Sequence, residues 1–328
     1  MYLGIDGGGT KTAFLLLDAS GRILATHQAA SSYYIQVGMG NVGHALASGI
    51  SATLAKAGRS VADVSFAFFG LPAHGEDRAQ TVILDQLPAA VMPQGKYLCG
   101  NDMVCGWAGS LACGDGISVV AGTGSISYGE YADKSARCGG WGELFGDEGS
   151  AYWIACAGLA LFSRMSDNRQ PKGPLYDIFR SRLSLGEDLD LAAKVYSEWG
   201  GERDKIAALA KRVHEAALAG DVDAGEIFAR AGRELAALVD ATRRSLQIPA
   251  GVAVPVSYSG GVFNTGPLVL GSFRTALASL ASDYVVRTPR FSPVIGAALY
   301  AARRAGAALS EEALGRLEGQ ASAVSRSE

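Results

Sequence analysis

The chain has 328 residues with 29 Lys and Arg against 32 Asp and Glu, so a formal charge of −3 gives no electrostatic basis for binding nucleic acid or an acidic membrane. Hydrophobic residues make up 48% and charged residues 19%, which excludes disorder and predicts a folded, soluble protein with a large core. The length predicts two domains with a ligand cleft between them, and the 43 glycines, nearly twice the usual share of about 7%, predict many positions of positive φ or close backbone approach.

In chain order, Tyr2 to Asp6 reads as a strand, Gly7-Gly8-Gly9-Thr10-Lys11-Thr12 as a turn, and Ala13 to Leu17 as a second strand, closed by a turn at Asp18-Ala19-Ser20-Gly21. A helix over Asn41 to Ala57 follows, then a strand at Val64 to Gly70, a helix near Glu76 to Leu87, a strand at Lys96 to Gly100, and a helix after Asn101-Asp102. Gly116 to Ala121, the turn Gly122-Thr123-Gly124-Ser125, and Ile126 to Tyr131 repeat the opening hairpin, which predicts an internal duplication. Helical patterns cover Asp204 to Ala219 and Asp223 to Leu246. A strand at Val252 to Tyr258, a turn at Ser259-Gly260-Gly261, a helix after Asn264, a strand at Asp283 to Arg287 and a helix from Pro293 complete the reading, with a frayed tail after Glu318. This order implies a mixed α/β sheet with helices packed on it.

The opening MYLGIDGGGT has no basic or apolar leader region, so a cytoplasmic location is expected. Ser245 to Phe273 is uncharged, but Pro249, Pro255, Pro267 and the turn at 259–261 break it, so no membrane span is expected. The five cysteines, at 99, 105, 113, 138 and 156, form no CxxC pair, which predicts free thiols in a reducing compartment and no structural zinc. His27, His44, His74 and His214 have no nucleophile or metal-ligand partner at meaningful spacing.

Asp6-Gly-Gly-Gly-Thr-Lys-Thr is neither a Walker A loop nor a dinucleotide fingerprint, because GxxxxGK[ST] is missing and a strand follows the glycines. A hairpin without β-carbons can aim backbone N–H groups of Gly8 and Gly9 at phosphate oxygens, with Thr10 and Thr12 as hydroxyl donors and Lys11 as a cation. Asp6, at the strand end, is placed to hold Mg²⁺ directly or through water; an ordinary Gly-rich hairpin is the competing reading. Gly122-Thr123-Gly124-Ser125 is a weaker signal alone, but two such turns can clamp a polyphosphate from both sides. Gly260 and Gly261, with Thr265 just after, offer a third close approach, suited to a base or ribose. Asp102 follows an apolar strand and opens a helix, so it reads either as a carboxylate reaching a ligand or as an N-cap. Asp147 and Glu148 read either as acceptors for sugar hydroxyls or as an acidic first turn.

DGGGTKT, Asn101-Asp102, AGTGS at 121–125, GGWGELFGDEGSAYW at 139–153 and YSGG at 258–261 together resemble the N-acetylglucosamine kinase branch, of BadF/BadG/BcrA/BcrD ATPase type, of the actin-like ATPase and sugar-kinase superfamily. The resemblance runs from Tyr2 to about Tyr300. It implies two RNase-H-like domains around a central cleft, at 1–114 and 115–293, with a C-terminal helix of about 294–328 returning to the first. It implies ATP and Mg²⁺ as cofactors, Asp102 as general base, and Tyr33, Asn101, Asp102, Gly140, Trp141, Gly142, Asp147 and Glu148 around an amino sugar. N-acetylglucosamine becoming N-acetylglucosamine 6-phosphate is the favoured reaction, glucosamine or N-acetylmuramate the alternative acceptors, and a homodimer is compatible with the pattern. The sequence departs from it at Tyr33, where the family places a sugar-gripping Asn that a phenol cannot copy; Ser32 and Gln36 are the nearby substitutes. The competing class is an activator ATPase that passes electrons from a cluster between two subunits. That class needs a cysteine flanking the second phosphate turn, where this chain has Val119-Val120-Ala121. A nucleotide-dependent interaction module is the third reading, and it has no need of both Asp6 and Asp102. The cysteine-rich zinc motif of ROK-type sugar kinases is missing.

Overall fold

The computed structural model describes residues 1–281 and 283–324, which divide into two compact units. One comprises Met1–Asp115 with the chain from Thr288 onward, the other Gly116–Arg287. The first opens with strands β1 (Tyr2–Gly7), β2 (Lys11–Leu17) and β3 (Ile23–Ala30), then helices α1 (Tyr34–Val37) and α2 (Met39–Lys56). It continues with β4 (Phe66–Leu71), α3 (Arg78–Gln86), β5 (Tyr97–Asn101) and α4 (Met103–Leu111). The second holds β6 (Gly116–Ala121), β7 (Ser125–Tyr131), β8 (Lys134–Gly139), α5 (Ala151–Ser166), α6 (Pro174–Arg182), α7 (Asp190–Ala193), α8 (Arg203–Ala207), α9 (Ala210–Leu218), α10 (Val222–Leu246), β9 (Val254–Ser259), α11 (Pro267–Leu280) and β10 (Tyr284–Arg287). Helices α12 (Pro293–Arg304) and α13 (Glu311–Val324) return to the first unit.

The two sheets have one topology. The first runs β3-β2-β1-β4-β5 and the second β8-β7-β6-β9-β10. In each, the leading strand is central, its hairpin partner and a third strand are antiparallel on one side, and two later strands are parallel on the other. The predicted duplication is therefore present at the level of strand order, extended by β3 and β8, which the sequence pattern did not reveal.

Alternation along β1 explains the layering of the first unit. Leu3 and Ile5 join Val42, Leu46, Ile50 and Leu54 of α2 in one core. On the opposite face α12 packs on β1, and with α13 it covers Leu15 and Leu17 of β2 through Val294, Ile295, Ala298, Leu299, Leu314 and Leu317. Leu314 and Leu317, three apart on α13, anchor that helix, and Gln320 adds bonds to the Ile23 N–H (3.1 Å) and the Gly21 carbonyl (3.0 Å). The tail expected to fray after Glu318 is thus helical to Val324; residues 325–328 lie outside the described residues.

In the second unit α10 carries an apolar stripe, Ala224, Ile227, Phe228, Ala231, Leu235 and Val239, that packs with Ile117, Val119 and Ala121 of β6. Asp221 caps it by accepting from the Ala224 N–H at 3.0 Å, and also takes the Leu175 N–H at 2.9 Å. The single helix expected over 204–219 is two, α8 and α9, because the chain tightens at Leu209, whose N–H bonds the Ile206 carbonyl three residues back. The helix expected after Asn264 begins at Pro267, preceded by a 3₁₀ turn at Gly261–Thr265. Among the described residues no helix is long and apolar enough to cross a membrane.

Candidate active site

In open sheets of this kind, ligands gather beyond the carboxyl ends of the parallel strands. In the first unit those ends are Asp6-Gly7 of β1, Gly70-Leu71 of β4 and Asn101 of β5, followed by Asp102. Register sets Asp6 beside Gly70. A β-carbon on Gly70 would lie 2.1 Å from Cys105 Sγ and 3.2 Å from the Asp102 Cα, so only glycine lets the head of α4 settle there. Asp6 and Asp102 consequently face one buried thiol, Cys105, whose pKa is driven well up by burial and then by these two carboxylates. The thiol stays protonated and points at the Ile5 carbonyl, 3.7 Å away.

Asp102 occupies the N-cap position of α4 but makes no capping bond with its side chain. Asn101 does that work: its Oδ1 accepts from the Met103 N–H (3.1 Å), while its Nδ2 donates to the His74 carbonyl (3.1 Å). Asn101 is thus a brace at the head of α4, with Oδ1 and Nδ2 each making one bond and 7% exposure. Of the two sequence readings for Asp102, the capping role falls to its neighbour.

Gly8 to Lys11 form the exposed lip of the first hairpin, with Gly8 half-buried and Gly9, Thr10 and Lys11 open to solvent. The Ser31 hydroxyl donates to the Gly8 carbonyl at 2.9 Å. Thr12 differs from the expectation of a phosphate donor: it is fully buried and its hydroxyl donates to the Ala30 carbonyl at 2.8 Å, tying β2 to β3. Tyr33 is half-buried at the start of α1, where its carbonyl accepts from Gln36 and Val37. Ser32 is fully buried with its hydroxyl unpaired among the described residues, beside the site a Gly7 β-carbon would fill.

The second unit gathers its own set. The Gly122-Thr123-Gly124-Ser125 turn is knit to the head of α5: the Gly122 carbonyl accepts from Ala151 N–H (2.8 Å), and the Thr123 carbonyl from Tyr152 N–H (3.3 Å). The Ser125 hydroxyl donates to the Glu148 carbonyl (2.7 Å), so Ser125 is a fastener. Gly260, at φ +99°, would place a β-carbon 2.3 Å from the Ala121 oxygen, so the third glycine turn lies directly on the second. Gly261 is exposed, while the Thr265 hydroxyl donates to the Val262 carbonyl at 2.7 Å. Gly140 (φ +68°) and Gly142 (φ +90°) flank Trp141, which is 71% exposed and presents an aromatic face. Glu148 is half-buried.

Asp147 is held at φ +56° and is 3% exposed. Burial raises its pKa; the Arg203 guanidinium and the N–H groups of Ser125 and Gly142 oppose this, and Glu143 adds to it. Arg203, paired with Asp147 and 3.3 Å from Glu143, was not read from the sequence, where it lies 56 residues from its partner with no motif around it. Among the described residues no group of three or more His, Cys, Asp or Glu side chains is gathered to hold a metal alone. Asp6, at the carboxyl end of β1, is a carboxylate of the kind that Mg²⁺ takes one or two of while completing its shell with phosphate and water.

The chain is 31% identical over 277 residues to the N-acetylmuramic acid/N-acetylglucosamine kinase of Clostridium acetobutylicum, covering 84% of this chain and 89% of that one. It is 28% identical over 313 residues to the N-acetyl-D-glucosamine kinase of Dictyostelium discoideum, covering 92% and 97%. Among solved structures, a Chromobacterium violaceum protein provisionally named N-acetylglucosamine kinase superposes with a TM-score of 0.67 at 26% identity, covering 90% and 97%. A ROK family glucokinase from Streptomyces griseus, solved with glucose and AMPPNP, shares the fold at a TM-score of 0.54 and 19% identity, covering 92% and 99%. Matched over residues 3–301, the chain belongs to the BadF/BadG/BcrA/BcrD ATPase family.

Proposed function

We propose that the protein is an ATP-dependent kinase that phosphorylates a hydroxyl of an amino sugar, with N-acetylglucosamine giving N-acetylglucosamine 6-phosphate. The observation that carries the reading is the Asp102 carboxylate, whose capping role Asn101 takes and which, like Asp6, faces the buried Cys105 thiol at the carboxyl end of the first sheet. The relatives named as amino-sugar kinases support the substrate class, and the N-acetylmuramic acid named for the Clostridium protein makes N-acetylmuramate the second acceptor to test.

In this reading Asp102 accepts the proton of the sugar hydroxyl as its oxygen attacks the γ-phosphorus; the P–O bond to the β-phosphate breaks and ADP leaves. The backbone of Gly8, Gly9, Thr10 and Lys11 and that of Gly122, Thr123 and Gly124 supply N–H groups to phosphate oxygens, and Gly260 and Gly261 approach the nucleoside. Asp6 holds Mg²⁺, which when bound offsets the charge on the phosphates. Trp141, flanked by Gly140 and Gly142, stacks on the pyranose, while Asp147 and Glu148 accept from its hydroxyls. Two domains meeting near residue 114, a cytoplasmic location and a homodimer belong to the same reading.

A coupled ADP-release assay with Mg·ATP tests it against N-acetylglucosamine, N-acetylmuramate, glucosamine, N-acetylmannosamine, glucose and no sugar. Release that depends on an amino sugar is expected. Release indifferent to every sugar would transfer the protein to the activator ATPases of the same fold.

A further inference from the structure

Arg203 opens α8 just after a π-helical turn at Lys194–Glu198 and two glycines, Gly200 and Gly201, both at positive φ (59° and 72°). That path delivers a guanidinium from a distant stretch of chain to the 122–125 turn. Its Nη2 pairs with Asp147 Oδ2 and sits 2.5 Å from where a Gly124 β-carbon would be. The Asp147 oxygen lies 2.6 Å from the same point. Any side chain at position 124 would therefore displace the pair.

The surroundings explain why the arginine is needed. Asp147 has a side chain only 4% exposed, in a left-handed backbone conformation. The groups that face it are Arg203, Glu143 and the N–H groups of Ser125 and Gly142. Tyr152 faces Glu143 and Arg203 and bonds Cys156. Two carboxylates thus share one guanidinium. Arg203 Nε lies 3.3 Å from Glu143 Oε2, within ion-pair range but off the line of a hydrogen bond, so among the described residues its proton has no aligned acceptor. The cation is oriented by Asp147.

We propose that Arg203 is a positioning residue that holds the Asp147 carboxylate as an acceptor for sugar hydroxyls, and so sets the affinity for sugar without touching the phosphoryl-transfer step. The proposal rests on the amino-sugar kinase reading. An ionised carboxylate accepts hydrogen bonds from two hydroxyls, whereas a protonated one must donate one of them. Burial and Glu143 both favour the protonated form of Asp147, and Arg203 is the strongest influence against it. Without the guanidinium, Asp147 takes up a proton at a higher pH than in the parent, and the pH dependence of sugar binding moves up with it.

The test measures kcat and KM for N-acetylglucosamine and for ATP, from pH 6 to 9, in the full-length protein and in Arg203→Met, Arg203→Lys and Asp147→Asn. Arg203→Met is expected to raise the sugar KM about tenfold or more at neutral pH, consistent with loss of a charge-assisted contact. That KM should fall back as pH rises, with the ATP KM unchanged. Arg203→Lys should recover most of the effect, and it provides the comparison if the Met variant does not fold. Asp147→Asn should raise the sugar KM at every pH, and adding Arg203→Met to it should cost little more. An unchanged sugar KM and pH profile in Arg203→Met, with a raised KM in Asp147→Asn, would overturn the role of Arg203 alone. An unchanged sugar KM in Asp147→Asn would instead remove the sugar reading of that carboxylate on which the proposal stands.

Discussion

The two sheets share a strand order but finish their leading hairpins in opposite ways. The first turn, Gly8 to Lys11, stands open, with the Ser31 hydroxyl on its Gly8 carbonyl, while acidic side chains gather at the strand ends behind it. The second, Gly122 to Ser125, is fastened by main-chain and side-chain bonds to Glu148, Ala151 and Tyr152, and Gly260 lies against the Ala121 oxygen beneath it. Its nearest carboxylate, Asp147, is already balanced by Arg203. A duplicated scaffold can therefore finish its leading hairpin in two ways, as an exposed lip on one copy and as a turn fastened to the head of α5 on the other. Topology alone does not tell them apart, because the distinction lies in the bonds that fasten the second turn to α5.

The sharpest way to break this comparison is Asp102→Asn. The side chain caps nothing, so the variant should fold with an unfolding free energy within about 1 kcal/mol of the parent. An amide cannot take the hydroxyl proton, and loss of a general base lowers turnover by about 10²- to 10⁴-fold. Sugar-dependent ADP release together with ATP affinity from calorimetry checks both halves. Turnover that survives the change removes Asp102 from the chemistry and leaves the first unit with no advantage over the second.

Paired glycine substitutions sharpen the contrast between the turns. Gly260→Ala forces a β-carbon to within 2.3 Å of a backbone oxygen at φ +99° and should destabilise the protein by about 2–4 kcal/mol in urea unfolding. Gly9→Ala meets only the Gln36 Oε1, 3.8 Å away, and should cost under about 1 kcal/mol. Equal costs would mean that Gly260 is not packed against the Ala121 carbonyl more tightly than Gly9 is packed in the open first turn.

How much of this was legible in the sequence follows from how local each signal is. The glycine turns, the strands feeding them and the placement of Asp102 could be read because each depends on a few consecutive residues. The division of labour between Asn101 and Asp102 could not, since both are good caps by type and only the backbone at the head of α4 decides which side chain turns inward. Thr12 looked like a phosphate ligand because it is polar and near glycines, but it is buried in β2 and its hydroxyl donates to the Ala30 carbonyl at the end of β3. Leu314 and Leu317 carry a helical signal, but the Ser- and Ala-rich run after Glu318 hid how far the helix continues. Arg203 had no local signal, because its meaning comes from Asp147, far away in the chain.

The smallest expected effect concerns the other end of the second sheet. Asp283 sits just before β10, at the amino ends of the parallel strands, where its Oδ2 accepts from Arg243 Nη2 (2.6 Å) and from the Gly251 N–H (2.8 Å). These bonds, the arginine's first, lower its pKa to about 2. A carboxyl more acidic in the folded than in the unfolded chain adds stability that is fully present above about pH 4. That contribution is lost as the pH falls toward about 2, because the unfolded state takes up its proton first. Unfolding midpoints at pH 6, 4 and 3 should therefore drop less steeply in Asp283→Asn than in the parent, while sugar-dependent ADP release at neutral pH stays within about twofold. Asp102→Asn should show the reverse pattern, with turnover lost and the acid limb kept. If Asp283→Asn were to lose turnover as Asp102→Asn does, the separation of chemistry at the carboxyl ends of the strands from stability at their amino ends would not hold in this fold.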